Sequence, residues 1–289
     1  MNGAGEDATL EWFGATTFRL QARGLTIFLD TWLERPSVLP SYLTIEDAGH
    51  VDYIFISHAH FDHLPGCDRL AKRTGAVVVA NGEAINVLRE AGVPEDQLLP
   101  VAGGERIPLF AREDREAAQK GKGHVAPGPP GAPLLPDASL AVMAVHAWPS
   151  LHCLLPGTSH ADIPDSMDTG TVYSGSAQYA CTIDITRGMR YGLLKLDEIV
   201  PREQLDAGEK AFIKANFNGR PFDGTAAEAA THICKWLGEP PQVIWCLHDD
   251  APIKPWRIDT GAAERMIEQT TRSKVRHLTP ATKSTLFLV

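Results

Sequence analysis

Long apolar runs are missing from this chain. No stretch approaches the ~18 consecutive apolar residues of a membrane-spanning helix, so no membrane span is expected. Paired cysteines are missing too. The five cysteines (Cys67, Cys153, Cys181, Cys234 and Cys246) are scattered, odd in number and never spaced as CxxC, which argues against a disulfide framework and for reduced thiols. Positive charge is scarce: 27 Lys and Arg stand against 36 Asp and Glu, for a net charge of −9, and no basic cluster exceeds short pairs such as Lys72-Arg73. A nucleic-acid partner is therefore not expected. The opening MNGAGEDATLEW has no basic segment followed by an apolar run, and a cytoplasmic location is expected on that ground.

What is present suffices for a full core: 44% of the 289 residues are hydrophobic and 22% charged. The periodicity alternates between strand and helix. TLEWFGATTFRL and LTIFLDTWL read as an opening antiparallel meander broken at Gly14 and Gly24. Val51 to Ser57, VDYIFIS, is nearly all apolar, as a strand buried on both faces must be. Pro65 suits the first turn of a helix that ends at Gly75; AVVVA, GEAINVLREAG and QLLPV then read as strand, helix and strand. Strands alternating with helices make the class α/β. The segment at about 113–137 is rich in Gly, Pro and charge and reads as a surface insertion in a single domain spanning 1–289, with His124 an ordinary surface histidine. SLAVMAVHAW, GTAAEAATHICKWLG, QVIWCL and DTGAAERMIEQTTR follow as strand, helix, strand and helix.

The chemistry concentrates at residues 57 to 66, Ser-His-Ala-His-Phe-Asp-His-Leu-Pro-Gly. This cluster follows a buried strand, where sites of α/β proteins form. His58 and His60, two apart in extended chain, project to one side. A turn into a helix then lets Asp62 and His63 point back at the same pocket. Imidazole nitrogens and a carboxylate suit Zn2+ and similar ions, and two metals are conceivable: His58 and His60 on one, Asp62 and His63 on the other.

HAHFDH resembles the HxHxDH signature of the metallo-β-lactamase superfamily. Trp12 to Phe18, the strand end at Asp30 and the lead-in Val-Asp-Tyr-Ile-Phe-Ile-Ser resemble it as well. The set is most similar to the branch of ascorbate-6-phosphate lactonase-like hydrolases and N-acyl-phosphatidylethanolamine phospholipase D. The likeness is clear over about 8–110 and again over about 220–256. It implies a four-layer αββα sandwich, two β-sheets face to face with helices outside and the metals at one edge.

The resemblance also calls for further ligands. A third histidine for the first metal is offered by His146 or His152; His152, beyond the strand, fits better. A last histidine after a late buried strand is matched by His248. A bridging aspartate in a Gly-Asp-Thr-like turn is the departure: no such tripeptide stands here, and Asp184, Asp168 or no bridging acid remain open, with Asp184 preferred. Asp30 resembles either a buried acid supporting the site or a residue that ends a strand in a turn. The implied cofactor is Zn2+, one or two per chain, with Mn2+ or Fe2+ as alternatives. The implied activity is hydrolysis of a small-molecule lactone, lactam, ester or amide by a zinc-activated hydroxide, with Asp62 as general acid–base. Phosphodiester hydrolysis of a lipid or small metabolite is the alternative within hydrolases. A non-hydrolytic di-iron protein or pseudo-enzyme is the alternative outside them.

Overall fold

Three short strands open the chain: β1 (Ala8–Trp12), β2 (Phe18–Ala22) and β3 (Leu25–Leu29), joined as an antiparallel meander. The β2–β3 link is a two-residue loop in which Arg23 and Gly24 both have positive φ (49° and 77°), the twist that tight hairpins require and glycine adopts without strain. A computed structural model describes residues 8–37, 39–151, 187–194, 226–246 and 260–286 of the chain.

After the meander the pairing turns parallel. β4 (Tyr53–Phe55) runs alongside β3, β5 (Val77–Ala80) alongside β4, and β6 (Leu98–Pro100) alongside β5. Parallel neighbours need crossovers. Helices α1 (Cys67–Thr74) and α2 (Gly82–Glu90) supply two of them. The Asn81 side chain caps α2 by accepting from the Ala84 N–H at 2.9 Å. Gly75 ends α1 as expected, whereas Pro65 lies just ahead of the cap residue Gly66 rather than in the first turn.

A second sheet is antiparallel: β7 (Arg106–Leu109), β8 (Met143–Leu151) and β9 (Arg187–Leu194). Between β7 and β8 comes a difference from the expected insertion. Its first part is helix α3 (Arg112–Gln119), and only the remainder is irregular, with His124 exposed. Polar, charged REDREAAQ gives no apolar stripe to read, since only Ala118 of the helix is buried. Tertiary anchors hold it: Arg112 donates to the carbonyls of Val51 (2.9 Å) and Thr74 (2.8 Å), and Arg115 reaches the buried Asp52 carboxylate at 3.3 Å. Helices α4 (Ala226–Trp236) and α5 (Gly261–Thr270) pack on each other, near the parallel pair β10 (Gln242–Ile244) and β11 (Lys274–Arg276). Finally β12 (Ser284–Leu286) pairs antiparallel with β1, giving a seven-stranded sheet in the order β12-β1-β2-β3-β4-β5-β6.

Alternation along the central strands decides the layering. Phe28, Ile54, Ile56, Val78 and Ala80 face one core with Leu70, Ala71, Ile85 and Leu88 of α1 and α2. Leu25, Ile27, Tyr53, Phe55 and Val79 face the other, with Ile107, Leu109, Met143, Val145 and Ala147 of the second sheet. The large sheet is thus buried on both faces, which is why its middle strands read as unbroken apolar runs. Helices α1 and α2 lie outside the large sheet and the second sheet lies face to face with it, three layers of the αββα arrangement that the resemblance implied. Among the described residues no helix is long and apolar enough to cross a membrane.

Candidate metal centre

The C-terminal ends of β3 and β4 set the site. The Asp30 N–H donates to the Phe55 carbonyl at 2.8 Å, and the Ile56 N–H to that of Val79 at 3.0 Å, so both strands stop level with one another. Asp30 turns out of β3 with φ 49°, a left-handed conformation that Asp tolerates better than most residues. Beyond β4, residues 57–64 form a tight loop. The N–H groups of His63 and Leu64 both donate to the His60 carbonyl at 3.0 Å, and the Thr31 N–H closes on the His63 carbonyl at 2.7 Å.

Within this loop the histidines converge. His58 Nε2 and His60 Nδ1 stand 2.9 Å apart, and the His58 ring lies 3.9 Å, centroid to centroid, from that of His63. His63 Nε2 is 3.5 Å from Asp62 Oδ1. His60, Asp62 and His63 are buried, His58 half-buried.

The other nitrogen of His63 is held from behind. Nδ1 lies 2.7 Å from Asp30 Oδ2, 2.9 Å from Thr16 Oγ1 and 3.2 Å from Ser57 Oγ. Asp30 also accepts from the Ser57 backbone N–H at 2.7 Å and from its hydroxyl at 2.9 Å. A carboxylate beside Nδ1 places the proton there, leaving Nε2 to face Asp62 with its lone pair. Burial opposes charge on His63, but the carboxylates of Asp62 and Asp30 and the hydrogen bond to Asp30 outweigh it, and the pKa is raised.

These donors fit a metal ion in kind and in spacing. Two nitrogens ~2.05 Å from a tetrahedral ion would stand roughly 3.3 Å apart, close to the separation of the His58 and His60 nitrogens. They do not complete a site by themselves: among the described residues no group of three or more His, Cys, Asp or Glu is arranged to hold an ion. The remaining candidates, His152, Asp168, Asp184 and His248, lie outside the described residues.

A model of the metallo-beta-lactamase superfamily matches residues 29–211, more than half of the chain. The chain belongs to that superfamily.

Among its relatives is a UPF0173 metal-dependent hydrolase of Pyrobaculum calidifontis, 36% identical over 100 residues; the match covers 35% of this chain and 44% of that protein. The chain thus spans less than half the length of this curated relative. Two solved structures share the fold. Igni18, a metallo hydrolase of the archaeon Ignicoccus hospitalis, aligns with TM-score 0.57 and 18% identity, over 98% of this chain and 100% of that one. CmlA, a diiron beta-hydroxylase of Streptomyces venezuelae, aligns with TM-score 0.50 and 16% identity, over 100% of this chain and 55% of that one.

Of the two histidines left open, His146 and His152, only His146 lies among the described residues of this metallo-beta-lactamase fold. His146 sits within the strand, buried and opposite Arg106 in the register of β7 and β8. Burial and then the Arg106 charge lower its pKa, against an opposing pull from Glu105, so it stays neutral at neutral pH. β8 runs through Trp148 and Pro149 as far as Leu151, the last described residue before His152. Asp30 combines the two roles considered for it, a strand-ending turn and a buried support for His63. Thr16 and Ser57 were not legible as site residues. Ser57 passes for the end of a strand, and Thr16 lies 47 positions before His63 in a turn whose fold alone brings it there.

Proposed function

We propose that this chain is a metal-dependent hydrolase acting on a lactone, lactam, ester or amide of a small molecule, in the cytoplasm. The observation that carries the reading is the pairing of His58 Nε2 with His60 Nδ1 beside an Asp62–His63 pair whose histidine is oriented from behind by Asp30. His58, His60 and His152 would hold one ion, and Asp62, His63 and His248 a second, with Asp184 as the shared acid. Zn2+ suits this nitrogen-rich donor set best, with Mn2+ and Fe2+ as alternatives. A bound divalent ion supplies a Lewis acid that lowers the pKa of water toward ~7 and stabilises negative charge on the reacting oxygen.

The protein's own side chains do the rest. Asp30 fixes the His63 ring and its tautomer, so Nε2 keeps one direction. Asp62, buried beside His63, orients the attacking water and holds a proton at its carboxylate for the leaving group. Burial of His60, Asp62 and His63 keeps bulk water from competing with those contacts. The lactonase-like branch is favoured by the Trp12–Phe18 opening and the strand entering HAHFDH.

His60→Ala removes one of the two paired nitrogens. It should abolish turnover in a screen of lactones, lactams, esters and phosphodiesters and lower the metal content measured by elemental analysis. Full activity in that variant would sink the mechanism; turnover of phosphodiesters alone would shift the substrate class. The departure from a Gly-Asp-Thr turn keeps a second reading in view, a di-iron protein. An iron-rich preparation with visible absorption, inert toward all those substrates, would replace the hydrolase reading with that one.

A further inference from the structure

We propose that Thr16 is a positioning residue for the metal centre, holding the His63 imidazole from the tip of the β1–β2 hairpin; the proposal rests on the metal-site reading above. Two elements distant in sequence meet at one nitrogen. Asp30, at the end of β3, takes the Nδ1 side of His63 at 2.7 Å, and the Thr16 hydroxyl approaches the same nitrogen at 2.9 Å. Ser57 is not equivalent. Its hydroxyl hydrogen is directed to Asp30 Oδ2, and its oxygen lies farther from Nδ1, at 3.2 Å. A ring held by one acceptor can swing about that contact. A second oxygen, arriving from another element, removes the swing and fixes where Nε2 points.

The hairpin tip is built as if that placement matters. Gly14 and Ala15 both have positive φ, 87° and 46°, and for alanine this is a strained conformation. Strain of this kind persists only where surroundings over-determine it, and here three contacts do so. The Trp12 indole N–H donates to the Ala15 carbonyl at 3.0 Å, the Thr17 N–H closes the turn on the Gly14 carbonyl at 3.0 Å, and Thr17 Oγ1 accepts from the Trp32 N–H at 2.9 Å. The Arg35 guanidinium, stacked 4.6 Å above the Trp32 ring, also lies over Gly14: a Cβ there would stand 2.7 Å from two of its nitrogens and push it aside, and the positive φ strains any other residue. Thr16, between two clamped neighbours, is itself half-exposed, so its side chain contributes little to the core.

The experiment is Zn2+ titration of the metal-free full chain by calorimetry, repeated with Co2+ to follow the ligand-field spectrum. Five proteins are compared: wild type, Thr16→Val, Thr16→Ser and His63→Ala with and without Thr16→Val. Valine keeps the shape of threonine and removes the hydroxyl; serine restores it. Thr16→Val should weaken the tightest affinity that His63→Ala also affects by on the order of 10-fold and shift the Co2+ spectrum, with Thr16→Ser near wild type. In the His63→Ala background Thr16→Val should add nothing. Equal binding by wild type and Thr16→Val overturns the proposal, as does equal weakening by serine and valine or a further loss on top of His63→Ala. Wild-type chain that takes up neither ion overturns the metal-site reading itself.

Discussion

Asp30 joins backbone and site in one side chain. Its carboxylate takes the Ser57 N–H, the Ser57 hydroxyl and His63 Nδ1, while its own backbone adopts the left-handed turn that ends β3. Asn tolerates that turn but offers one acceptor oxygen where Asp offers two. Asp30→Asn is therefore expected to fold, to lose roughly 1–3 kcal/mol in urea unfolding through one poorly satisfied buried group, and to bind Zn2+ about 10- to 100-fold more weakly. Unchanged affinity would show that His63 is oriented by something other than this carboxylate. Asp30→Ala should cost more, because it strands both the Ser57 N–H and the ring and places alanine at positive φ.

Helix α3 illustrates how an element with no apolar stripe is held. Its arginines span the far end of the sheet, where Asp52 also accepts from the Thr26 N–H at 2.9 Å and lies 2.8 Å from His50 Nε2. Asp52 is buried, so removing it leaves Arg115 facing an uncompensated cavity. Asp52→Ala should destabilise the chain by about 3 kcal/mol, accelerate amide exchange across 112–119, and leave Zn2+ affinity unchanged, because Asp52 lies at the opposite end of β4 from His58. Loss of metal binding in that variant would contradict this separation. A second element, the β6–β7 turn, is tied by Glu105, which accepts from the N–H groups of Ala102 (2.8 Å) and Gly103 (2.7 Å). Burial tends to raise the Glu105 pKa, but those backbone N–H bonds outweigh it, and the pKa is lowered. A carboxylate lowered in the folded state contributes stability above its ordinary pKa of ~4.3 and loses it as pH falls through the folded value. Glu105→Gln should accordingly cost stability at pH 7 and make little difference in acid, as urea unfolding at both pH values would show.

At the scale of the whole molecule, the proposed metal site couples to folding because Thr16, Asp30 and Ser57, from separate segments, all meet His63. An ion bound only by the folded chain stabilises it by about 2.7 kcal/mol when present at 100 times its dissociation constant. Chelator treatment should therefore lower the melting temperature by on the order of 5 °C. His60→Ala, already short of one donor, should show a much smaller drop in calorimetry. An equal drop in both would place the stabilising ion elsewhere.

Most of the fold was legible because its signals are local. The apolar runs Tyr53 to Ile56 and Val77 to Ala80, buried on both faces, and the breaks at Gly24 and Gly75 each follow from a few neighbouring residues. The same holds for HAHFDH: four potential ligands within six residues announce themselves, and one strand followed by one turn is enough to bring them together. Helix α3 escaped notice because arginine bonds to distant carbonyls and to Asp52 hold it, not an apolar face. Thr16 escaped for the same physical reason at a smaller scale. A hydroxyl carries no periodicity, and only the packing of the β1–β2 tip against the loop after β4 gives it His63 to hold. The sequence alone determined the class, the sandwich and the clustering of His58, His60, Asp62 and His63, through short-range pattern and burial. The tertiary structure decided how the His63 ring is aimed, because the aim depends on hydrogen bonds between residues far apart in the chain.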